Sequence, residues 1–263
     1  MVPARTEVVE PPRALDDVAP AGAVGLLALA TDANVESDLR ALLPPEVGLY
    51  TTRVANTDPI TVDTLRAMAS LITDAARTIR VGPVDVLVYG CTSGAIVLGE
   101  EQVAERLRAA QPGAACLTPA GAAVSALRSL GARRLSILTP YVARVNDLVA
   151  EHFADSGFEV VNVAGFGLRR DLDMTRLPPA ALAAAAAEVC DTTADALLVS
   201  CTSLRATAVI PEIEAAIGRP VVSSNQALVW RLRNLLGFEL SNPRLGRLLH
   251  RVESRPGPDT TRV

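Results

Sequence analysis

Six short stretches of the chain carry apolar runs: residues 23–30 (AVGLLALA), 84–90 (VDVLVYG), 134–140 (RLSILTP), 158–165 (FEVVNVAG), 195–201 (DALLVSC) and 220–225 (PVVSSN). Longer segments with apolar residues at helical spacing lie between them. A strand with one wet face alternates apolar and polar positions, whereas a strand that is apolar throughout has both faces covered. The pattern therefore predicts an α/β protein with parallel sheets flanked by helices. No apolar stretch approaches the roughly 18 residues needed to cross a bilayer. Residues 1–20 lack the apolar core of a signal peptide, so a cytoplasmic protein with no membrane partner is expected.

The pattern also repeats. VDVLVYGCTSGA (84–95) matches ADALLVSCTSLRA (194–206), which sets Cys91 and Cys201 in register. A weaker match pairs residues 115–131 with 219–237, and a fainter one pairs 24–32 with 134–142. Self-similarity of this kind predicts two similar Rossmann-like halves related by a pseudo-twofold, with a ligand between them. The expected division is a first domain of residues 21–120 plus 225–251 and a second of residues 121–224. Proline and charge mark residues 1–20 and 252–263 as disordered tails.

Composition narrows the chemistry. With 49% hydrophobic residues in 263, the chain can build a substantial core. A net charge of −4 with only eight aromatics, and no basic block, argues against a nucleic-acid partner. All 25 basic residues are arginine. The lack of lysine excludes pyridoxal-phosphate enzymes, Schiff-base aldolases and P-loop nucleotidases. His152 and His250 are not spaced as zinc ligands, so no metal site is expected. The four cysteines form no CxxC pair and read as free thiols.

Each Cys-Thr-Ser follows an apolar strand, where ligands bind in open parallel sheets. A helix beginning there, with Ser93 or Ser203 as N-cap, would aim free N–H groups at the same point. That setting lowers a thiol pKa and favours a carboxylate, to which the hydroxyls of Thr92, Ser93, Thr202 and Ser203 can donate. Two such turns face to face suit two-base chemistry: one thiolate removes a proton alpha to a carboxylate and the opposite thiol returns one. Alternatively, one thiolate adds to an activated double bond. Free cysteine is also a small buried hydrophobe, which is the expected role of Cys116 and Cys190.

GCTSG (90–94), LTPYVARVN (138–146) and SCTS (200–203) together resemble the aspartate/glutamate racemase superfamily. Within it they resemble the branch of maleate cis-trans isomerase, arylmalonate decarboxylase and ectoine-utilisation racemase-like proteins. The resemblance implies a two-domain, cofactor-free homodimer holding a small carboxylate or amino-acid substrate between domains. It assigns Cys91 and Cys201 as catalytic, and Thr92, Ser93 and Tyr141 as carboxylate ligands, with N–H groups near Cys201 and Thr202 completing the pocket. Glycine stands at the position of Cys91 in the decarboxylase, which argues against decarboxylation here. Where the maleate enzymes carry a functional asparagine, this chain has Asp32, with Asn34 nearby. Asp32 would repel a second carboxylate and accept an ammonium or hydroxyl, or else cap the helix starting at Val35. SSNQALVWRL and GLRRDLDMTRL look closer to the ectoine-utilisation members, adding Asn225 as a substrate-binding candidate. Arg53 is a further candidate, as partner to a second carboxylate. The expected activity is a maleate-type cis-trans isomerase, with a two-base amino-acid racemase or a non-catalytic carboxylate-binding protein as alternatives.

Overall fold

The computed structural model describes residues 10–12, 16–240 and 245–250. The tail expected at 252–263, and most of the one at 1–20, lie outside these residues. The first sheet contains β1 (Ala23–Leu29), β2 (Gly48–Val54), β3 (Val86–Gly90) and β4 (Ala115–Leu117) in the order β2-β1-β3-β4. The second contains β5 (Arg134–Thr139), β6 (Glu159–Gly165), β7 (Ala196–Val199) and β8 (Val221–Ser223) in the order β6-β5-β7-β8. Every pairing is parallel. Numbering the second sheet from β5 reproduces the order of the first, which is the physical content of the sequence repeat.

Two strands escape the apolar-run criterion. Strand β2 (GLYTTRV) is a mostly half-buried edge with polar residues at its centre, and β4 is three residues long. The central strands are apolar because they are enclosed: Val24, Leu26, Leu27, Leu87 and Val88 have no exposed surface. The apolar run 220–225 ends early as a strand because Ser224 and Asn225 already belong to the next helix.

Around the first sheet lie α1 (Val35–Leu42), α2 (Val62–Ala67), α3 (Ile72–Arg77), α4 (Thr92–Leu98), α5 (Glu100–Arg108) and α6 (Pro119–Ser129). Around the second lie α7 (Ala143–Asp155), α8 (Asp171–Arg176), α9 (Pro179–Val189), α10 (Ile210–Ile217), α11 (Ser224–Leu236) and α12 (Gly246–His250). Helices α6 and α11 follow the equivalent strands β4 and β8 and pack against each other. Alanines 120, 122, 123 and 126 of α6 are buried, and small side chains let the two helices approach closely. Helix α11 also packs on α1 of the first half. Among the described residues, no helix is long and apolar enough to cross a membrane.

Candidate active site

Strands β3 and β7 both end at the two Cys-Thr-Ser turns, beyond the carboxyl edges of their sheets. Cys91 is itself the N-cap of α4, its Sγ accepting the Gly94 N–H at 3.2 Å, so the expected cap at Ser93 shifts by two residues. Gly94 is required by crowding: a Cβ there would stand 2.7 Å from the Tyr89 hydroxyl and 2.9 Å from the Cys91 sulfur. Thr92 and Ser93 occupy the first turn of α4, where backbone N–H groups have no intrahelical partner.

The second turn departs from the first. No α-helix starts after Cys201; a turn leads to a short 3-10 segment at Thr207–Val209 and then to α10. Side chains claim the carbonyls that a helix would use: Asn34 Nδ2 donates to the carbonyls of Thr202 (2.9 Å) and Leu204 (3.1 Å), and Asn225 Nδ2 donates to Thr202 (2.9 Å). Ser203, the expected second cap, instead donates its hydroxyl to Asp171.

Hydrogen bonds between the halves draw the turns together. The Thr92 hydroxyl donates to Ser224 Oγ at 2.9 Å, and that oxygen also accepts the Cys201 N–H at 3.1 Å. The Thr202 hydroxyl donates to the Gly90 carbonyl at 3.3 Å. Thr31 Oγ1 donates to Asp171 at 2.7 Å, and the Ile60 N–H donates to the Arg169 carbonyl at 2.7 Å.

A narrow cleft of about 10 Å³ results. Both thiols line it, with Thr92, Ser93, Tyr141, Thr202, Ser203 and Asp171, closed by Leu29, Ile60 and Met174. Seven expected residues are thus brought together: Cys91, Cys201, Thr92, Ser93, Tyr141, Thr202 and Ser203. Tyr141 interacts with the Cys201 thiol and the Ser93 hydroxyl. Three others stand apart from this wall. Asn225 is buried behind it and spends its amide on Asp38 (2.8 Å) and the Thr202 carbonyl. Arg53 is turned away, bound to the carbonyls of Leu29 and Asp32 and to Glu36. Asp32 meets the capping expectation in part: Oδ1 accepts the N–H groups of Asn34, the N-cap of α1, and of Val35 at 2.7 and 2.9 Å, while Oδ2 is buried with no donor.

Electrostatics correct one expectation outright. The turns do not lower the thiol pKa values. Burial pushes Cys91 up to about 12, and the negative charges of Asp171 and Asp32 add to this against the opposing Gly94 N–H. Cys201 is pushed up further for the same reasons. Burial and both cysteines also raise the Tyr141 phenol, keeping it a hydrogen-bond donor.

Sequence reasoning missed Asp171, Ser224 and Asp38. Asp171 begins α8, and its carboxyl is raised by burial and by Asp32. Asp38 gathers the side chains of Asn34, Thr207 and Asn225 on one oxygen. Proximity to the cysteines arises only from the fold, so no local signal marks these residues. Among the described residues no cluster of His, Cys, Asp and Glu is arranged to hold a metal.

A two-sheet α/β scaffold with a thiol-lined cleft between its halves defines the class, and comparison fixes it: residues 24–249 match the arylmalonate decarboxylase family, to which this chain belongs. Among its relatives, the maleate isomerase of Pseudomonas putida KT2440 is 26% identical over 86% of this chain and 96% of its own length. The arylmalonate decarboxylase of Bordetella bronchiseptica is 32% identical over 52% of this chain and 58% of its own length. The crystal structure of maleate isomerase Iso from Pseudomonas putida S16 with maleate superposes with a TM-score of 0.81 at 24% identity, covering 87% of this chain and 97% of that one. A Nocardia farcinica maleate cis-trans isomerase variant with a covalently bound succinylcysteine intermediate gives a TM-score of 0.79, covering 87% of this chain and 98% of that one. The resemblance carried by GCTSG, LTPYVARVN and SCTS to the maleate isomerase and arylmalonate decarboxylase branch is thereby confirmed.

Proposed function

We propose that this chain is a cofactor-independent isomerase of a small carboxylate, acting through Cys91 and Cys201. The observation that carries the reading is the presence of both thiols on the wall of one small cleft, beside hydroxyls and first-turn N–H groups suited to a carboxylate. The relatives named maleate isomerase, one with a covalent succinylcysteine, support thiol chemistry in this family.

Two reactions fit this arrangement. In the cis-trans form, a thiolate adds to the alkene and its electron pair moves to the carbon alpha to the carboxylate. The former double bond rotates, and expulsion of the thiolate restores the alkene as the trans acid. In the two-base form, one thiolate takes the alpha proton, leaving an enediolate. The opposite thiol then delivers its proton to the other face, so thiol and thiolate have exchanged roles. Ser93, the Tyr141 hydroxyl and the first-turn N–H groups would stabilise the enediolate. A specific observation favours the two-base form: Asp171 lines the cleft and Asp32 is buried close behind it, while no arginine or histidine lines the cleft among the described residues, which suits an amino acid or derivative better than a dicarboxylate.

The test is a proton NMR time course in D2O with maleate, aspartate, glutamate and diaminobutyrate derivatives. Loss of an alpha-proton signal without a new alkene identifies the racemase, and fumarate from maleate identifies the cis-trans isomerase. The two-base activity must vanish in both Cys91→Ser and Cys201→Ser, and the cis-trans activity in the one that removes the adding thiolate. Turnover that survives loss of both thiols refutes the assignment, and saturable binding without any turnover points to a carboxylate-binding protein.

A further inference from the structure

One carboxylate, Asp171, lines the cleft and a second, Asp32, is buried behind its wall, and among the described residues no cationic side chain lines the cleft. Asp171 lines the cavity and is 3% exposed. It accepts Thr31 Oγ1 at 2.7 Å on one oxygen and Ser203 Oγ on the other. Asp32 is 2% exposed, and its Oδ2 has no hydrogen-bond donor although Oδ1 has two. Asp32 is close enough to Asp171 and to both thiols to act on the protonation of all three.

The arginines nearby are engaged elsewhere. Arg53 donates to the backbone carbonyl of Asp32 at 2.6 Å and pairs with Glu36 at 2.9 Å, while Arg170 lies 3.8 Å from Asp58. Among the described residues, no arginine or histidine lines the cleft. A buried carboxylate without a partner is costly, and a cationic donor entering the cleft would offset that cost. An ammonium supplies three N–H donors and a positive charge, whereas a second ligand carboxylate would supply neither.

Resting on the reading of this cleft as the substrate site, we propose that Asp32 and Asp171 form a cation subsite that selects substrates bearing a protonated amine next to the reacting carbon. Asp171 is then a specificity-determining residue: it faces the ligand directly, and Asp32 Oδ2 completes the charge behind it. Bringing a cation here also offsets the negative field that opposes thiolate formation. A substrate of this kind therefore helps to create the base that acts on it.

Calorimetric titration of the full chain with four-carbon probes tests this. L-2,4-Diaminobutyrate carries two amines, L-2-aminobutyrate one, L-2-hydroxybutyrate none, and maleate carries a second carboxylate instead. The amines should bind at least about tenfold more tightly than the hydroxy acid and maleate, the scale of one charge-assisted hydrogen bond. Asp32→Asn and Asp171→Asn should each reduce that preference about tenfold. Asp32→Ser, which keeps an oxygen to cap α1, guards against loss of fold, as judged by circular dichroism. Equal affinity for amines and maleate, no binding of any amine, or an undiminished preference in the variants overturns the subsite. Cysteine-dependent turnover with no amine preference removes the subsite and leaves the isomerase standing. Amine-selective binding without turnover removes the isomerase and leaves the subsite.

Discussion

Replacing Ser224 with alanine should damage the protein out of proportion to the single oxygen removed. That oxygen is fully buried and accepts both the Thr92 hydroxyl and the Cys201 N–H, so it fastens one Cys-Thr-Ser turn to the other. Its loss strands a backbone donor and a hydroxyl where water does not reach. Each stranded group costs about 1–3 kcal/mol, and the hydroxyl can partly recover by rotating, so the expected loss is about 2–4 kcal/mol. For a chain of this size that corresponds to a fall in Tm of roughly 4–16 °C. Ser223→Ala is the natural comparison. Ser223 caps α11 by accepting the Gln226 N–H at 3.1 Å, and losing such a cap costs about 1 kcal/mol without touching either turn. Urea unfolding can be followed by fluorescence of Trp230, the single tryptophan, which is buried in α11 itself. Turnover measured in parallel should fall in Ser224→Ala and persist in Ser223→Ala. A Ser224→Ala protein no less stable than Ser223→Ala would refute the claim that this oxygen holds the turns together.

Two other outcomes are expected. Gly94→Ala should lower activity and cost about 1–3 kcal/mol of stability by overpacking, because the new methyl would press on the Tyr89 hydroxyl and the Cys91 sulfur; wild-type turnover in this variant would contradict the crowding seen there. In the ligand-free protein, alkylation of Cys91 by iodoacetamide, followed by peptide mass spectrometry, should be about a thousandfold slower at pH 8 than for an unshifted thiol. A thiol raised to about 12 carries thiolate only as pH climbs, so labelling should grow about tenfold per pH unit, and a plateau below pH 9 would contradict the assigned burial and charge.

Apolar runs revealed the enclosed strands because enclosure demands apolar residues on both faces; the edge strand β2, with Thr51 and Thr52 at its centre, carries no such mark. The duplicated Cys-Thr-Ser announced the two turns, since each has to be written into its own strand end. Their partners were illegible for a reason of distance. Asp171 meets Thr31 across 140 positions and Ser224 meets Thr92 across 132, and neither carries a local pattern that foretells the encounter. Charge was misjudged for a related reason: a helix start favours a thiolate, but burial among carboxylates disfavours it more, and burial belongs to the assembled molecule. Asp32 fell between these cases, since its capping role is local and its unpartnered oxygen is not.

The two halves are alike in their strands and unlike in their turns: one cysteine caps a helix, while the other sits in a turn bound through Ser203 to Asp171. The cleft consequently has a left and a right. A flat intermediate resting between them would present its mirror-related faces to different neighbours, so the site can distinguish one hand from the other before any bond is made.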